Sequence, residues 1–572
     1  KKNARRYFRG KFRSDLTAGT TVAMVVIPQS MAYAAIAGIN PIYGLFTAII
    51  PTIIAALFSS FPLLITGPTN PTALVTASVL IGYANRENYF EFVVALAIIA
   101  GVFNIIFGLL KLGTITRYIS NSVLVGFLTA AGVLVIGYQL GNLFGLDLSR
   151  EGGVWGIVSH LFLRFSEINV FTLIVSLISI SSMILIRKLN RKLPAALMTI
   201  IFAGLSVYLT GWSGDQNVEL VMDIGLPEQI GLGFHVPQIS FMEFTTLGIS
   251  GAAVALFGFM ETISIAKSMS QMSGESLDPS REMISQGLAS FIGGFFQCMP
   301  SSGSPSRTVV NVVNGARTRF SAIFSGLSVL VFILLFSRLI GFIPLAALAA
   351  VVIVSAAGLI NINLIKFTWQ STLKSRIVLV ITFVSTLVLP LEYAIYLGIL
   401  TTILIYLGES SRINLSYIVE DDAGHYVELP MDRIEKHDAE IAIVNIEGDL
   451  YFAAVEDLQE RIKKILQTNL KVLILRFRRT HLLASTGVMA LERLIKTARD
   501  KGVVVLFCGL HDEIRKPLEE AGIIEEVGES HTFYANRHLF ESTQRALEEA
   551  KLILENRKQA KKAAKESAAE GE

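Results

Sequence analysis

The run Phe295-Phe296-Gln297-Cys298-Met299-Pro300-Ser301-Ser302-Gly303-Ser304-Pro305-Ser306-Arg307-Thr308 interrupts apolar sequence with Gly, Ser and Pro and closes on a basic residue. A second interruption, Thr66-Gly67-Pro68-Thr69-Asn70-Pro71-Thr72, stands at the matching place in the first half of the chain. Irregular backbone at membrane depth persists only where protein buries it or where it lines a cavity. Paired interruptions of this kind point to the binding site of a transporter. Two half-helices starting there present unpaired N–H groups and about half a positive charge each, a setting for an anion. Thr69, Asn70 and Thr72 can add side-chain donors at one of them, and Ser304, Ser306 and Thr308 at the other. Gly67 and Gly303 let backbone approach a ligand closely. Arg307 is a permanent cation whose forked donors match an oxyanion. It can touch the anion, supply positive field behind it, or pair with an acidic side chain.

Glu261 ends the run Ala252-Ala253-Val254-Ala255-Leu256-Phe257-Gly258-Phe259-Met260, where a bare carboxylate is strongly disfavoured. A carboxyl held between apolar surroundings and a nearby cation can take and release a proton. Fixed pairing with Arg307 or Lys267 is the structural alternative. Gln29 and Tyr33 lie four residues apart, hence on one helix face. Spacing alone leaves open whether they wall a pocket or pack a core.

The elements that must hold these groups follow from hydropathy. The chain has 572 residues, 52% hydrophobic and 17% charged, against about a quarter charged in soluble domains, which places most of it in lipid. A helix crossing an apolar core of about 30 Å needs roughly 20 apolar residues. Spans are expected near 15–38, 42–60, 89–111, 120–144, 168–186, 193–213, 244–269, 281–298, 318–339, 343–360, 376–390 and 393–408. Segments 71–84 and 305–315 are too short to cross alone, and counting them as half-helices gives fourteen, arranged seven plus seven. Short cytoplasmic loops collect Lys and Arg. With the N-terminus inside, Lys111/Arg117, Arg187 to Lys192, Arg317/Arg319 and Lys374/Arg376 all fall inside. The loop 214–242 falls outside, with Asp215, Glu219, Asp223 and Glu228 and no Lys or Arg. Both termini are then expected inside. The basic start (Lys1, Lys2, Arg5, Arg6, Arg9, Lys11, Arg13) leads into a multi-span region, so a cleaved signal peptide is not expected.

After Glu409 the pattern becomes α/β. Runs 441–446, 472–475 and 503–507 read as buried strands, with helices near 453–467, 487–500 and 511–521. The expected organisation is a transport domain 1–410, a linker 411–432, a small open-sheet domain 433–550 and a charged tail 551–572, frayed or disordered. The two cysteines, Cys298 and Cys508, suggest neither a metal site nor a disulfide framework. No hydrolytic or redox constellation is present, so an enzyme is not expected, and no cofactor or nucleic acid partner is implied.

Three stretches resemble the SulP family of anion transporters, the sulfate permease type with a C-terminal STAS domain. They are Asp15-Leu16-Thr17-Ala18-Gly19 leading to Ile27-Pro28-Gln29-Ser30-Met31-Ala32-Tyr33-Ala34; Phe295 to Thr308 continuing to Asn311 and Gly315-Ala316-Arg317-Thr318; and Ile446-Glu447-Gly448-Asp449-Leu450-Tyr451-Phe452-Ala453. The resemblance implies a helical polytopic membrane protein with fourteen segments in a seven-plus-seven inverted repeat, related to uracil permeases. In such proteins a core of spans one to four and eight to eleven moves against a gate of the others. It implies that Gln29 and Tyr33 face the anion, that Arg307 is the arginine opening the tenth span, and that Glu261 is the coupling carboxylate of the eighth. Na⁺-coupled bicarbonate members carry Asp there and Thr one turn later. Ile265 stands at that later position and offers no oxygen, which favours a co-transported proton over sodium. In the STAS segment Ala484 replaces the Asp of bacterial anti-sigma antagonists. Ser485 and Thr486 are therefore expected to cap the following helix rather than serve a kinase switch.

The resulting expectation is a proton-coupled sulfate importer of the plasma or inner membrane, working as a homodimer, with a possible cytosolic partner for the STAS domain. The same machine carrying bicarbonate or a dicarboxylate is the alternative, since Pro68-Thr69-Asn70-Pro71 also resembles bicarbonate members. A channel or exchanger, and a membrane scaffold signalling through its STAS domain, are more distant readings.

Overall fold

The computed structural model describes residue 7 and residues 10–113, 120–146, 148, 153–190, 193–213, 218–224, 232–410, 414–420, 426–430, 440–450, 452–538 and 540–569. Lys1, Lys2, Arg5, Arg6, Arg9, Arg117, Arg191, Lys192, Asp215, Glu228 and Tyr451, all used above, lie outside these residues. The chain divides into two compact units, Lys1–Ile403 and Leu404–Glu572.

In the first unit the same order of elements occurs twice. Helices α1 (Phe12–Ile36) and α2 (Pro41–Phe58) lead to a two-residue strand β1 (Thr66–Gly67), a half-helix α3 (Asn70–Val79), and then α4 (Tyr89–Leu109), α5 (Asn121–Tyr138), α6 (Val170–Leu189) and α7 (Ala195–Thr210). The second half repeats this with α8 (Gly248–Ser273), α9 (Pro279–Gly294), β2 (Ser302–Gly303), the half-helix α10 (Pro305–Val313), α11 (Phe320–Ile340), α12 (Leu345–Ala357), α13 (Leu373–Val388) and α14 (Leu391–Ser410), whose last turns fall past the boundary at Ile403. The fold is the seven-plus-seven arrangement. Each half-helix starts where a proline sits at its first turn, Pro71 and Pro305, because proline's fixed φ suits the first helical position and its missing N–H is no loss there. Expected span 281–298 stops at Gly294, because Gln297 takes a left-handed φ of 64° and turns the chain back toward β2.

Packing separates the helices into two groups. α4 lies on α9 and α8, α2 on α9, and α11 on α1 and α2, while α5 lies on α13, and α12 on α6 and α5. Close approach is built into the first group: a Cβ on Gly101 of α4 would stand 2.4 Å from the Phe291 backbone nitrogen of α9, so only glycine fits that crossing. Two helices within this unit were not expected from hydropathy, Gly153–Leu163 and Ile362–Ser371. Both are too short to register as spans.

The second unit is a six-stranded sheet in the order β4-β3-β5-β6-β7-β8, with β3 (Asn414–Glu420), β4 (Tyr426–Pro430), β5 (Ile441–Glu447), β6 (Val472–Arg479), β7 (Val504–Leu510) and β8 (Thr532–Tyr534). β3 is antiparallel to β4 and β5, and the remaining pairs are parallel. The stretch expected to be a linker therefore supplies two strands. Its alternating sequence is short and polar enough to pass for a connection until β5 is there to pair with it. Helices α15 (Phe452–Ile465), α16 (Ser485–Asp500), α17 (Asp512–Glu520) and α18 (Ile523–Val527) follow, and Leu473 and Leu475 of β6 share a core with them. Val472 and Ile474, on the opposite pleat face, pack with Ala546 and Ala550 of α19 (Glu541–Ala569). The tail expected to fray is thus helical to Ala569: Ala, Lys and Glu are strong helix formers, and its first turns are held by the sheet. Ala484, not a Ser or Thr, is the N-cap of α16, and exposed Ser485 and Thr486 fall in its first turn, correcting the expected cap.

Candidate functional site

The two interruptions meet. β1 pairs antiparallel with β2, Thr66 opposite Gly303 and Gly67 opposite Ser302, so one strand from each half closes a small sheet inside the membrane unit. Thr52 Oγ1 donates to the Thr66 carbonyl (2.5 Å) and Gln286 Nε2 to Thr66 Oγ1 (2.9 Å), bracing the sheet from α2 and α9. The half-helices α3 and α10 leave this sheet with their N-termini close together. At α3 the cap is filled, since the Thr72 N–H donates to Thr69 Oγ1 (3.3 Å). At α10 the N-cap Ser304 makes no side-chain cap bond, leaving the first N–H groups of that helix for a ligand.

A cavity of about 820 Å³ opens at these helix starts. Among its lining residues are Gln29 and Tyr33 of α1, Thr69, Asn70, Glu261, Ser304 and Ser306, all from the first helix group. Ser120 and Asn121 at the start of α5, Arg187 of α6 and Ser355 of α12 face them from the other. The cavity therefore lies between the two groups. Several of its polar atoms are uncommitted: Gln29 Oε1, Asn70 Nδ2 and Oδ1, Ser120 Oγ and Ser355 Oγ are buried without a hydrogen-bond partner. Asn70 is only 4% exposed and Gln29 5%. Buried amides without partners cost stability unless something enters to satisfy them, and here they surround a space that can admit an anion.

Glu261 forms the wall beside Thr69. Its Oε2 accepts from Ser302 Oγ (2.7 Å) and Thr69 Oγ1 (2.9 Å). Thr72 Oγ1, 2.8 Å from Ser302 Oγ and 2.9 Å from Thr69 Oγ1, completes a hydroxyl cluster drawn from both halves. Both of these bonds fall on Oε2, and Glu261 is among the residues that line the cavity. No ion pair joins Glu261 to Arg307 or Lys267 among the described residues.

Arg307 is fully buried and does not line the cavity. Its Nη2 donates to the Pro68 carbonyl, while Nε and Nη1 have no partner. A Cβ on Gly67 would stand 2.8 Å from Nη1, so the glycine makes room for the guanidinium rather than for a ligand. Gly303 is likewise closed off, its N–H donating to Thr262 Oγ1 (2.8 Å). Thr308 Oγ1 accepts from the Ile65 N–H (3.1 Å), and Thr72 turns into the hydroxyl cluster, so neither reaches the cavity. The expected donor set thus divides. Gln29, Tyr33, Thr69, Asn70, Ser304, Ser306 and Glu261 come together around one space, with Arg307, Thr72 and Thr308 behind its wall. Ser306 and Thr308 could not share a face, being two residues apart on a helix. Ser302, Ser120, Asn121 and Ser355 were not singled out from sequence. For Ser302 a signal existed: a hydroxyl residue precedes glycine in both interruptions, Thr66-Gly67 and Ser302-Gly303.

Among the described residues no group of three or more His, Cys, Asp or Glu side chains stands together as a metal site. The arrangement sets amide and hydroxyl groups, the uncapped start of α10 and one carboxyl around a single space, with a buried cation behind its wall.

Residues 12–382 match the sulfate permease family, and residues 433–546 match the STAS domain. Sulfate transporter 4.1, chloroplastic, of Arabidopsis thaliana is 27% identical over 551 residues, covering 91% of this chain and 78% of that protein. The structure of murine Solute Carrier 26 family member A9, an anion transporter in the inward-facing state, superposes with a TM-score of 0.85 at 19% identity, over 95% of this chain and 92% of that one. The transmembrane domain of the cyanobacterium bicarbonate transporter BicA superposes with a TM-score of 0.59 at 22% identity, over 68% of this chain and 97% of that one. At these identities both structures share the fold.

Proposed function

The chain belongs to the sulfate permease family, and from that premise we propose that it is a secondary transporter that moves sulfate across the membrane together with protons. The observation that carries this reading is Glu261, a carboxyl in the wall of the anion cavity that is satisfied by hydroxyls and not by a cation. A carboxylate there repels a dianion, and a protonated carboxyl does not. Sulfate and proton therefore favour each other's binding. Membrane potential gives a reason for the coupling: inside-negative voltage opposes anion entry by about 2.3 kcal/mol per charge per 100 mV. Two protons make sulfate entry neutral and a third makes it favourable. Ile265 also lines the cavity one turn after Glu261 and offers no side-chain oxygen, which favours a proton over sodium as the co-transported ion.

The movement that fits is an elevator. α1–α4 and α8–α11 carry the anion-facing groups as one packed body, and α5–α7 with α12–α14 form the surface against which it slides. The cavity includes Arg187 and Ser375, residues next to the basic loops that the positive-inside rule assigns to the cytoplasm, and this supports reading the state as inward-open with both termini cytoplasmic. The setting is the plasma or inner membrane, and the working form is a homodimer whose STAS domain receives a cytosolic partner.

Radiolabelled sulfate uptake into proteoliposomes under an imposed pH gradient tests the reading. Uptake that requires an acidic outside and resists excess bicarbonate and dicarboxylate is expected. Transport of bicarbonate or a dicarboxylate without sulfate overturns the substrate and leaves the site; that second reading draws on Pro68-Thr69-Asn70-Pro71 and on a cavity larger than sulfate needs. Passive currents without coupled uptake point to a channel.

Asn70→Ala removes an uncommitted donor next to the start of α3. A hydrogen bond to a charged group contributes about 1.5–3 kcal/mol, so the half-saturation concentration for sulfate is expected to rise about tenfold or more. Unchanged half-saturation in concentration-dependent uptake would remove Asn70 from the binding site.

A further inference from the structure

We infer that Ser302 is the positioning residue of the proton step: its hydroxyl, with that of Thr69, holds Oε2 of Glu261 so that only Oε1 faces the cavity and takes the proton. This rests on the reading of Glu261 as the proton carrier. The geometry supports it in three ways. Ser302 is fully buried, and its hydroxyl stands 2.7 Å from Oε2, the shorter of the two bonds that oxygen receives. Thr72 Oγ1 lies 2.8 Å away, so the Ser302 proton is directed at Glu261 while its lone pairs are met from α3. The Ser302 backbone is fixed by pairing with Gly67, which prevents the hydroxyl from following the carboxyl if that side chain turns.

The titratable and charged groups that face Glu261 are Arg307 from α10, Tyr33 from α1 and, across the cavity, Arg187 from α6; Lys267 follows on its own helix. None of them hydrogen-bonds to the carboxyl. Its orientation is therefore set by hydroxyls. In the step itself a hydronium ion in the cavity gives its proton to Oε1, leaving water and a neutral carboxyl. The new O–H points into the cavity, where it donates to an oxygen of the arriving anion, while Oε2 continues to accept from Ser302 and Thr69. Release on the other side reverses the transfer to water. Without Ser302 the carboxyl can rotate, and its proton can be spent on a neighbouring hydroxyl instead of on the anion.

The test compares Ser302→Ala with Ser301→Ala, a neighbour whose hydroxyl bonds Ser290 Oγ (3.1 Å) and not Glu261. Ser302→Ala removes one donor to the charged carboxylate, so the pH midpoint of sulfate uptake is expected to move toward higher pH by about one unit. Ser301→Ala keeps the wild-type profile. An unshifted midpoint in Ser302→Ala, or an equal shift in Ser301→Ala, overturns the inference. If Ser302→Ala does not fold, Ser302→Cys keeps the volume with a weaker donor. In either variant the carboxyl C=O infrared band, followed through a pH titration and identified by its loss in Glu261→Gln, reports protonation without transport. An unmoved band also overturns the assignment. Should Glu261→Gln retain full pH-driven uptake, the coupling role of Glu261 fails, and the infrared titration still decides whether Ser302 orients the carboxyl.

Discussion

Glu261→Gln is expected to reduce pH-driven sulfate accumulation to the level of protein-free liposomes while sulfate–sulfate exchange continues. Glutamine reproduces the shape of a protonated glutamic acid. Its carbonyl can accept from Ser302 and Thr69, which now serve Oε2, and its amide N–H can stand where Oε1 faces the cavity. The variant is therefore fixed in the form that accepts the anion and cannot lose a proton on the other side. Binding and exchange need only that form. Net uptake against a gradient needs both. The two assays separate the outcomes: loss of both activities indicates a folding or binding defect, and pH-driven accumulation equal to wild type would sink the coupling role of this residue.

Buried behind the cavity wall, Arg307 is proposed to act on the anion through its field, and Arg307→Gln is then expected to weaken sulfate binding about 100-fold or more in a protein that still folds. A buried guanidinium without an ionic partner costs several kcal/mol on its own, and here two of its nitrogens have no hydrogen-bond acceptor. At an effective dielectric constant of about 20, the attraction between a buried cation and a nearby dianion amounts to roughly several kcal/mol, enough for that loss. Glutamine can still donate toward the Pro68 carbonyl, so the brace between the two interruptions is kept while the charge is lost. Arg307→Lys keeps the charge and is expected to bind sulfate better than Arg307→Gln. Equal affinity in the two variants, measured by equilibrium binding of labelled sulfate, would show that Arg307 is a scaffold only.

The membrane spans, both half-helices and several of the cavity-lining groups were legible in the sequence because their signals are local. A run of apolar residues, a proline after a small polar residue, and one carboxyl in an apolar helix each declare themselves within a few positions. What was hidden depends on pairing across the chain. Ser302 acquires its meaning from Thr69, 233 residues away, and from Glu261 on a third element. Arg307 was legible as a cation near the site, but its direction was not: the space it fills exists because Gly67 lacks a side chain. The seat of Thr308 against Ile65 follows from helical periodicity once the start of α10 is known. In the second unit the strands buried on both faces were plain, whereas β3 and β4 needed β5 as a partner before their alternation became structure.

The sheet of β1 and β2 takes one strand from each half of the chain, and its register is two residue pairs deep. A half-length fragment cannot make the site, whatever its own stability. The pairing also ties the two halves together in descent. A single-residue insertion or deletion next to Gly67 would turn every following side chain to the opposite face of the strand, carrying the partner of Ser302 away from it. Length changes in one interruption survive only with a matching change in the other, so the two segments are expected to keep fixed lengths while the loops around them drift.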